Sequence, residues 1–362
     1  MHILHTESSS GWGGQEIRIL REAEGMRQRG HTFIFAVQSG GKLIAKARAA
    51  GFIVYEIPFN KRAALKTLLI LLRVIKKHSV DLINTHSSMD AWLGGIAARL
   101  AGKKVIRTRH LSTPSRPGLN SRLLYNTLAD FVVTTSSSII PSIQSQSGLS
   151  PSLIRCIPTG VDPQAFLINP EEVEVFRLSL GVKQGEILVG TACFVRSWKG
   201  ILDLLQAALL LKEDKRIKWV VVGGGYVEEY RPKIAELGLS GIITFVGHLE
   251  NPFAAIRAMD VFTLLSTAHE GISQASLQAA FLERPLITTT VGGLPEVCLD
   301  GKTGIVVPPF SPERIAQAVL RMAEAPLLRH CWGKNAKDLV LKKFTFENTL
   351  SSMQDVYDQL KK

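Results

Sequence analysis

The feature that most constrains this chain is an alternation that runs through it twice: short apolar runs of strand character, each followed by a stretch with helical spacing. In the first half, Ile3-Leu4-His5, residues 32–37 and 53–57, Leu82-Ile83-Asn84, Val105-Ile106-Arg107 and Phe131-Val132-Val133-Thr134 read as strands. Residues 15–28 and 62–77 read as helices between them. A stretch rich in Pro, Gly and Asp, 158–170, reads as a boundary. The pattern then resumes with Leu188-Val189-Gly190, residues 219–222, Ile243-Thr244-Phe245, Val261-Phe262, Leu286-Ile287-Thr288 and Gly304-Ile305-Val306. Strands that alternate with helices demand a parallel sheet covered on both faces. A chain of 362 residues exceeds one usual core, so two domains are expected. The fold class is therefore α/β, two Rossmann-like doubly wound domains facing a central cleft. Ligands of such sheets bind outside the carboxyl ends of the strands.

One stretch stands out within that frame. The apolar run Met259-Asp260-Val261-Phe262-Thr263-Leu264-Leu265 leads into His269-Glu270-Gly271-Ile272-Ser273, which is followed by small and apolar residues with helical spacing. Glu270 and Gly271 thus fall at a strand-to-helix turn. Helix-start amides lack internal partners and sit at the positive end of the dipole, which suits a phosphate. Gly271 lets the backbone approach it closely. Phosphate would repel Glu270, whose chemistry suits sugar hydroxyls instead. Amides for phosphate beside an acid for hydroxyls point to a nucleotide-sugar.

Composition decides a few further questions. Hydrophobic content of 46% with 20% charged residues describes an ordinary globular protein, and no uninterrupted apolar run reaches the roughly 18 residues of a membrane span. The opening residues show no export signal. Cys156, Cys193, Cys298 and Cys331 are far apart and read as reduced packing residues of a cytoplasmic protein. No Asp-x-Asp pair and no His, Cys and carboxylate cluster at ligand spacing occurs, so no metal is expected. The net charge of +12 lies wholly in residues 1–165, with 21 Lys and Arg against 9 Asp and Glu. A basic half beside a neutral one suggests an anionic partner for that half. Within it, Arg62, Lys66, Arg73, Lys76 and Lys77 share a helical face, with Leu65, Leu68, Leu69, Leu72 and Ile75 over much of the remainder. Such a helix either covers its domain with a solvated basic side or lies on an anionic membrane.

Several turns carry candidate chemistry. Gly11-Trp12-Gly13-Gly14-Gln15-Glu16 follows the first strand, but a dinucleotide fingerprint needs a third glycine where Glu16 stands. A loop that shapes the cleft fits it better. His110 lies beyond a strand end; position alone leaves it equally a cap, a surface histidine or a ligand contact. Arg196 and Lys199 follow the first strand of the second half, where a guanidinium fork and an ammonium can clamp a diphosphate. Gly223 ends another strand, as turn chemistry or to admit a nucleotide. In Gly292-Gly293-Leu294-Pro295-Glu296, Pro295 and Glu296 are ordinary helix-start signals.

Taken in order, these motifs resemble the family 4 retaining glycosyltransferases of the GT-B fold. The resemblance spans nearly the whole chain: Gly13-Gly14-Gln15-Glu16, Arg29-Gly30-His31, Asp81-Leu82-Ile83-Asn84-Thr85-His86, Arg109-His110, Ile157-Pro158-Thr159-Gly160-Val161-Asp162, Lys199-Gly200, Glu270-Gly271, Gly292-Gly293-Leu294-Pro295-Glu296 and Asp300-Gly301-Lys302-Thr303-Gly304, with Lys343-Phe344-Thr345-Phe346 opening the tail. It implies an acceptor-side domain at 1–165, a nucleotide-sugar domain at 166–342 and a segment at 343–362 that crosses back. Glu270 resembles the first acid of an E-x7-E motif on the donor sugar, with Gly271, Ile272 and Ser273 near the diphosphate. Lys199 resembles the phosphate-binding lysine, His110 the histidine near the donor sugar, Gly13 and Gly14 the acceptor-side loop, and Glu296 a residue near the nucleotide. The chain departs from the pattern twice: Gln278 stands at the second acid, and Phe194 stands where many members carry an arginine, whose role passes to Arg196. Gln278 can still bond ribose hydroxyls.

The resemblance implies a retaining, metal-independent transfer of a hexose-type sugar to a glycan or glycolipid, in lipopolysaccharide or surface polysaccharide assembly. No cofactor is implied; the donor is a nucleotide-sugar, first a UDP-sugar. No nucleic acid is implied as a partner. The expected location is cytoplasmic, at the inner face of the plasma membrane. The alternatives are a nucleotide-sugar epimerase and a catalytically silent nucleotide-sugar-binding protein, the latter motivated by Gln278.

Overall fold

The computed structural model describes residues 1–110 and 117–361. The chain divides into two compact units, one of Met1–Thr159 with Glu347–Lys362 and one of Gly160–Phe346. The first holds a parallel sheet of β1 (His2–Glu7), β2 (Thr32–Gln38), β3 (Ile53–Ile57), β4 (Leu82–Thr85), β5 (Lys104–Arg109), β6 (Phe131–Thr134) and β7 (Ile154–Cys156), in the order β3-β2-β1-β4-β5-β6-β7. The second holds β8 (Ile187–Ala192), β9 (Ile217–Val222), β10 (Ile243–Gly247), β11 (Val261–Leu264), β12 (Leu286–Thr289) and β13 (Gly304–Val307), in the order β10-β9-β8-β11-β12-β13. Every named pair of neighbours is parallel.

The apolar runs form strands because both faces of each sheet are covered. All six residues of β8 are buried. Successive side chains of one strand point to opposite faces, and the second unit shows it directly. Val189, Val221 and Ile287 pack with Ile201, Leu205, Ile315 and Val319 in one core. Their neighbours Leu188, Val220 and Leu286 pack with Ile256, Leu277 and Ala280 in another. In the first unit, Leu71, Val74 and Ile75 cover Leu4, Ile34, Ile83 and Val105.

The basic helix departs from its expected form. It begins as a 3-10 turn, Lys61–Ala63, capped by Asn60 Oδ1 accepting from Ala63 N at 2.9 Å, and continues as the helix Ala64–Lys77. Its inward face is Thr67, Leu71, Val74 and Ile75. Leu65 and Leu69 are instead 71% and 46% exposed, beside the exposed Arg62, Lys66, Arg73, Lys76 and Lys77. The edge strand β7 is three residues long and half-polar, so it carries no run that hydrophobic spacing alone can find.

The final helix, Phe346–Lys361, is held on the first unit by polar contacts. Thr349 Oγ1 donates to Pro158 O at 2.9 Å, His31 Nε2 pairs with Gln354 Oε1 at 2.9 Å, and Arg29 Nη2 reaches Glu347 Oε1 at 2.5 Å.

Candidate functional site

Each sheet reverses its winding at one point, between β1 and β4 in the first unit and between β8 and β11 in the second. Outside the carboxyl ends of such strand pairs the two connecting loops diverge and leave a crevice for a ligand. The candidate residues concentrate at both places.

In the second unit, Arg196 and Lys199 follow β8, while Glu270, Gly271, Ile272 and Ser273 follow β11. Lys199 Nζ donates to Glu270 Oε1, and Ser266 Oγ donates to the same oxygen at 2.6 Å. The pair is largely withdrawn from water, with side chains 17% and 7% exposed. Glu270 Oε2 has no partner among the described residues. The acid is thus held by one oxygen and offers the other, and the two residues expected to serve phosphate and sugar form one unit.

Backbone contacts draw the loops together. Thr267 N donates to Trp198 O at 2.8 Å. Gly200 adopts φ +69°, and a Cβ there would fall 1.9 Å from Leu265 O. Gly223, at φ +134°, would meet Cys193 O at 1.8 Å in the same way. Only glycine tolerates both the dihedral and the approach. A Cβ on Gly293 would fall 2.9 Å from Gly271, which brings the turn with Glu296 beside the Glu270 loop.

One expectation changes. The helix after β11 begins at Gln274, with Ser273 as its cap, so Gly271, Ile272 and Ser273 precede it. Ser273 Oγ takes the Ser276 amide at 3.4 Å, and Ile272 is buried. The helix-start amides belong to residues 274 onward, and a phosphate on Gly271–Ser273 would bind loop backbone instead. Leu294–Glu296 forms the expected helix turn, a single 3-10 turn with Pro295 at its start and Glu296 within it. Arg196 is exposed, and its guanidinium lies over the rings of Phe194 and Trp198, at 4.9 and 5.2 Å. Phe194, which departs from the arginine of the resembled pattern, thus carries Arg196 on its face. Gln278 lies half-buried in the second turn of the helix.

In the first unit, the helix Gly14–Gln28 opens on Gly13, whose N–H donates to Glu16 Oε2 at 2.8 Å. Gln15 Nε2 reaches Glu7 Oε2 at 2.5 Å and Ser87 Oγ at 2.8 Å, pinning the glycine loop to the ends of β1 and β4. Asp90 accepts from Thr6, Ser8 and the amides of His86 and Ser87. Burial, and then the charge of Asp90, raise the Glu7 carboxyl to about 7. His110 is half-buried and its Nε2 lies 3.0 Å from His86 Nδ1. The structure therefore brings His110 and the Gly13–Gly14 loop to one place, around residues that received no role from the sequence: His5, Glu7, His86, Ser87 and Asp90. Histidines and acids at the ends of two strand-like runs were the available signal.

The comparisons follow this division. Residues 12–165 match a model described as Glycosyltransferase Family 4, and residues 186–325 match one described as Glycosyl transferases group 1. The chain is a family 4 glycosyltransferase. It is 24% identical to an uncharacterised glycosyltransferase of Methanocaldococcus jannaschii over 368 residues, covering 95% of this chain and 94% of that one. It is 24% identical to the UDP-Gal:alpha-D-GlcNAc-diphosphoundecaprenol alpha-1,3-galactosyltransferase of Escherichia coli over 308 residues, 81% of this chain and 79% of that one. Anabaena HepE, crystallised in complex with UDP, superposes with a TM-score of 0.88 at 20% identity, covering 99% of this chain and 100% of that one. The two parallel sheets are those of the GT-B fold. Among the described residues of this glycosyltransferase, no group of three His, Cys, Asp or Glu is placed to hold a metal, and no helix is long and apolar enough to cross a membrane.

Proposed function

We propose that this glycosyltransferase moves a hexose from a UDP-sugar to a lipid-linked glycan acceptor, with retention at the anomeric carbon and without a metal ion. The observation that carries the reading is the Lys199–Glu270 pair at the winding reversal of the second sheet, with one carboxylate oxygen held and the other open. Glu270 Oε2 takes sugar hydroxyls, and Lys199 takes the diphosphate. Arg196 adds a second cation, and the loop amides of Gly271, Ile272 and Ser273 add dipoles. Gly223 and Glu296 flank the nucleotide, and Gln278 serves the ribose as an uncharged amide. Gly13 and Gly14 act on the acceptor side, and His110 acts near the donor sugar through a hydrogen bond to a substrate oxygen.

In the transfer step the acceptor oxygen bonds to the anomeric carbon as the bond from that carbon to the phosphate oxygen breaks. The acceptor proton passes to the departing diphosphate, so no separate base is needed. What the protein supplies is electrostatic stabilisation of the diphosphate, placed in advance by Lys199, Arg196 and the amides. Two similar proteins support the substrates: one carries UDP in its crystal, and one is named for UDP-Gal and a diphosphoundecaprenol acceptor. An acceptor of that chemistry would support a role in lipopolysaccharide or surface polysaccharide assembly, at the cytoplasmic face of the plasma membrane. The exposed Leu65 and Leu69, ringed by Arg62, Lys66, Arg73, Lys76 and Lys77, give the first unit a patch that fits an anionic membrane.

The test is to incubate the enzyme with each common UDP-hexose and a polyprenyl-diphosphate sugar, in EDTA, and weigh the products. A product heavier by one hexose residue is expected. Transfer that stops in EDTA and returns with a divalent metal would refute metal independence, and release of an epimerised donor without acceptor would favour an epimerase.

A further inference from the structure

Three imidazoles form a continuous chain through the first unit. His5 Nδ1 lies 2.7 Å from His86 Nε2, and His86 Nδ1 lies 3.0 Å from His110 Nε2. The strands β1 and β4 pair in register, which sets His5 beside Asn84 and brings its ring parallel to that of His86, with centroids 4.9 Å apart.

A neutral imidazole carries one N–H and one bare nitrogen, and each of the two contacts needs one of each. If His86 is protonated at Nδ1, its bare Nε2 accepts from His5 Nδ1–H. Its own Nδ1–H then donates to a bare Nε2 of His110, whose proton must sit on Nδ1. The opposite choice at His86 puts all three protons on Nε2. Mixed states break a contact, so the tautomer of His110 is set two rings away, at His5.

The rings stay neutral near pH 7. Burial pushes His5 down to about 3, and burial followed by neighbouring positive charge holds His86 and His110 well below the usual histidine value. Arg18, from the helix after the glycine loop, and Arg107, from β5, act on both. Glu7 and Asp90 are the acids of the same region, occupied with Ser87, Gln15, Ser8 and Thr6.

The far end decides between the two states. His5 is fully buried against Phe33 and Phe35, with centroids at 5.2 and 5.6 Å, and its Nε2 has no partner among the described residues. The all-Nε2–H state would strand a buried donor there, whereas the all-Nδ1–H state leaves a bare lone pair. Orphaned buried N–H groups are the rarer defect. At the other end His110 Nδ1 has no partner among the described residues. We propose that His5 and His86 are positioning residues that hold His110 in its Nδ1–H form, so that it presents a hydrogen-bond donor to a substrate oxygen. The chain of tautomers stands on the free enzyme alone; its use on substrate rests on the proposed role of His110.

Long-range nitrogen–proton NMR of histidine-labelled enzyme at pH 7, without substrate, reads the tautomers. Three neutral rings protonated at Nδ1 are expected, and an Nε2–H or a charged ring at any of the three would overturn the proposal. Two variants read the consequence. His5→Phe keeps an aromatic ring against Phe33 and Phe35 but removes the donor; His5→Asn loses the ring and restores an N–H near the Nδ1 position. His5→Phe should release the tautomer of His110 and lower kcat about tenfold, the worth of one hydrogen bond, with the donor KM within about twofold. His5→Asn should keep the tautomer and most of kcat. A purely structural His5 predicts the reverse order, and that order would overturn the proposal. Unchanged transfer by His110→Ala would overturn only the substrate contact, since the tautomers are read without it.

Discussion

Replacing Lys199 by Met separates what the Lys199–Glu270 pair does for the fold from what it does for transfer. Both side chains are largely buried, at 17% and 7% exposure, so the substitution leaves the Glu270 carboxylate with only the Ser266 hydroxyl, 2.6 Å away, as a partner. Breaking a fully buried pair costs about 3–5 kcal/mol; the residual exposure of this one places Lys199→Met near the lower end, at about 3 kcal/mol. Adding Glu270→Gln removes the stranded charge. The double variant should regain about 2 kcal/mol of that loss, a coupling within the range seen for residues in contact. Transfer should behave differently. An ammonium aimed at a developing diphosphate charge is worth a factor of about 10² or more in kcat, and the double variant should stay at least that slow although it is more stable. Urea unfolding supplies the stability cycle, and initial rates with saturating UDP-sugar at a temperature where all variants are folded supply the second. A Lys199→Met enzyme with kcat within about threefold of the parent would refute the clamp. Transfer that recovers together with stability in the double variant would reduce the pair to a structural salt bridge.

Three further outcomes follow from the same geometry. Gly200→Ala should cost about 2 kcal/mol or more in urea unfolding, because φ is +69° and the new methyl would fall 1.9 Å from Leu265 O; an unchanged midpoint would contradict the backbone packing. Glu7, raised to about 7 from an ordinary 4.5, binds its proton more tightly folded than unfolded. Its contribution is therefore intact below about pH 4.5 and lost as pH rises toward and through 7, so the parent should lose more stability than Glu7→Gln between pH 5 and 8. Parallel curves would place the acid elsewhere. Leu65→Gln with Leu69→Gln should weaken sedimentation with phosphatidylserine vesicles at least about tenfold, each leucine contributing up to about 1.5–3 kcal/mol on burial, with transfer to a soluble acceptor analogue unchanged; equal binding to neutral vesicles would contradict the anionic-membrane reading.

Most of the fold was legible because both sheets are parallel and buried, so the strands appear as apolar runs whose spacing survives without an alignment. The runs that opened the second half extend by one to three residues in the structure, and only β7, short and half-polar at the sheet edge, left no trace. The basic helix was legible as a helix but not in its orientation: Leu65 and Leu69 fit the apolar count, yet packing against the sheet uses Leu71, Val74 and Ile75 and leaves the first two outside. At the site, turn chemistry and resemblance reached Lys199 and Glu270, though not that they pair across 71 residues with Ser266 on the same oxygen. The histidine chain was out of reach for the same reason. His5 and His86 are 81 residues apart and meet only because β4 crosses back to lie beside β1. Periodicity reports which face a residue takes, whereas partners across a sheet follow from strand order, which no local spacing encodes.

The central claim is that a diphosphate clamp, with no nucleophile or separate base, directs the acceptor to the face the diphosphate leaves. The anomeric configuration of the product tests it most directly. With an α-linked UDP-hexose donor in EDTA, the proton coupling at the new anomeric centre should report an α-linkage from the first turnover. A β-linked product would contradict the account, because the acceptor would then have attacked from the face opposite the departing diphosphate, out of reach of the group that takes its proton.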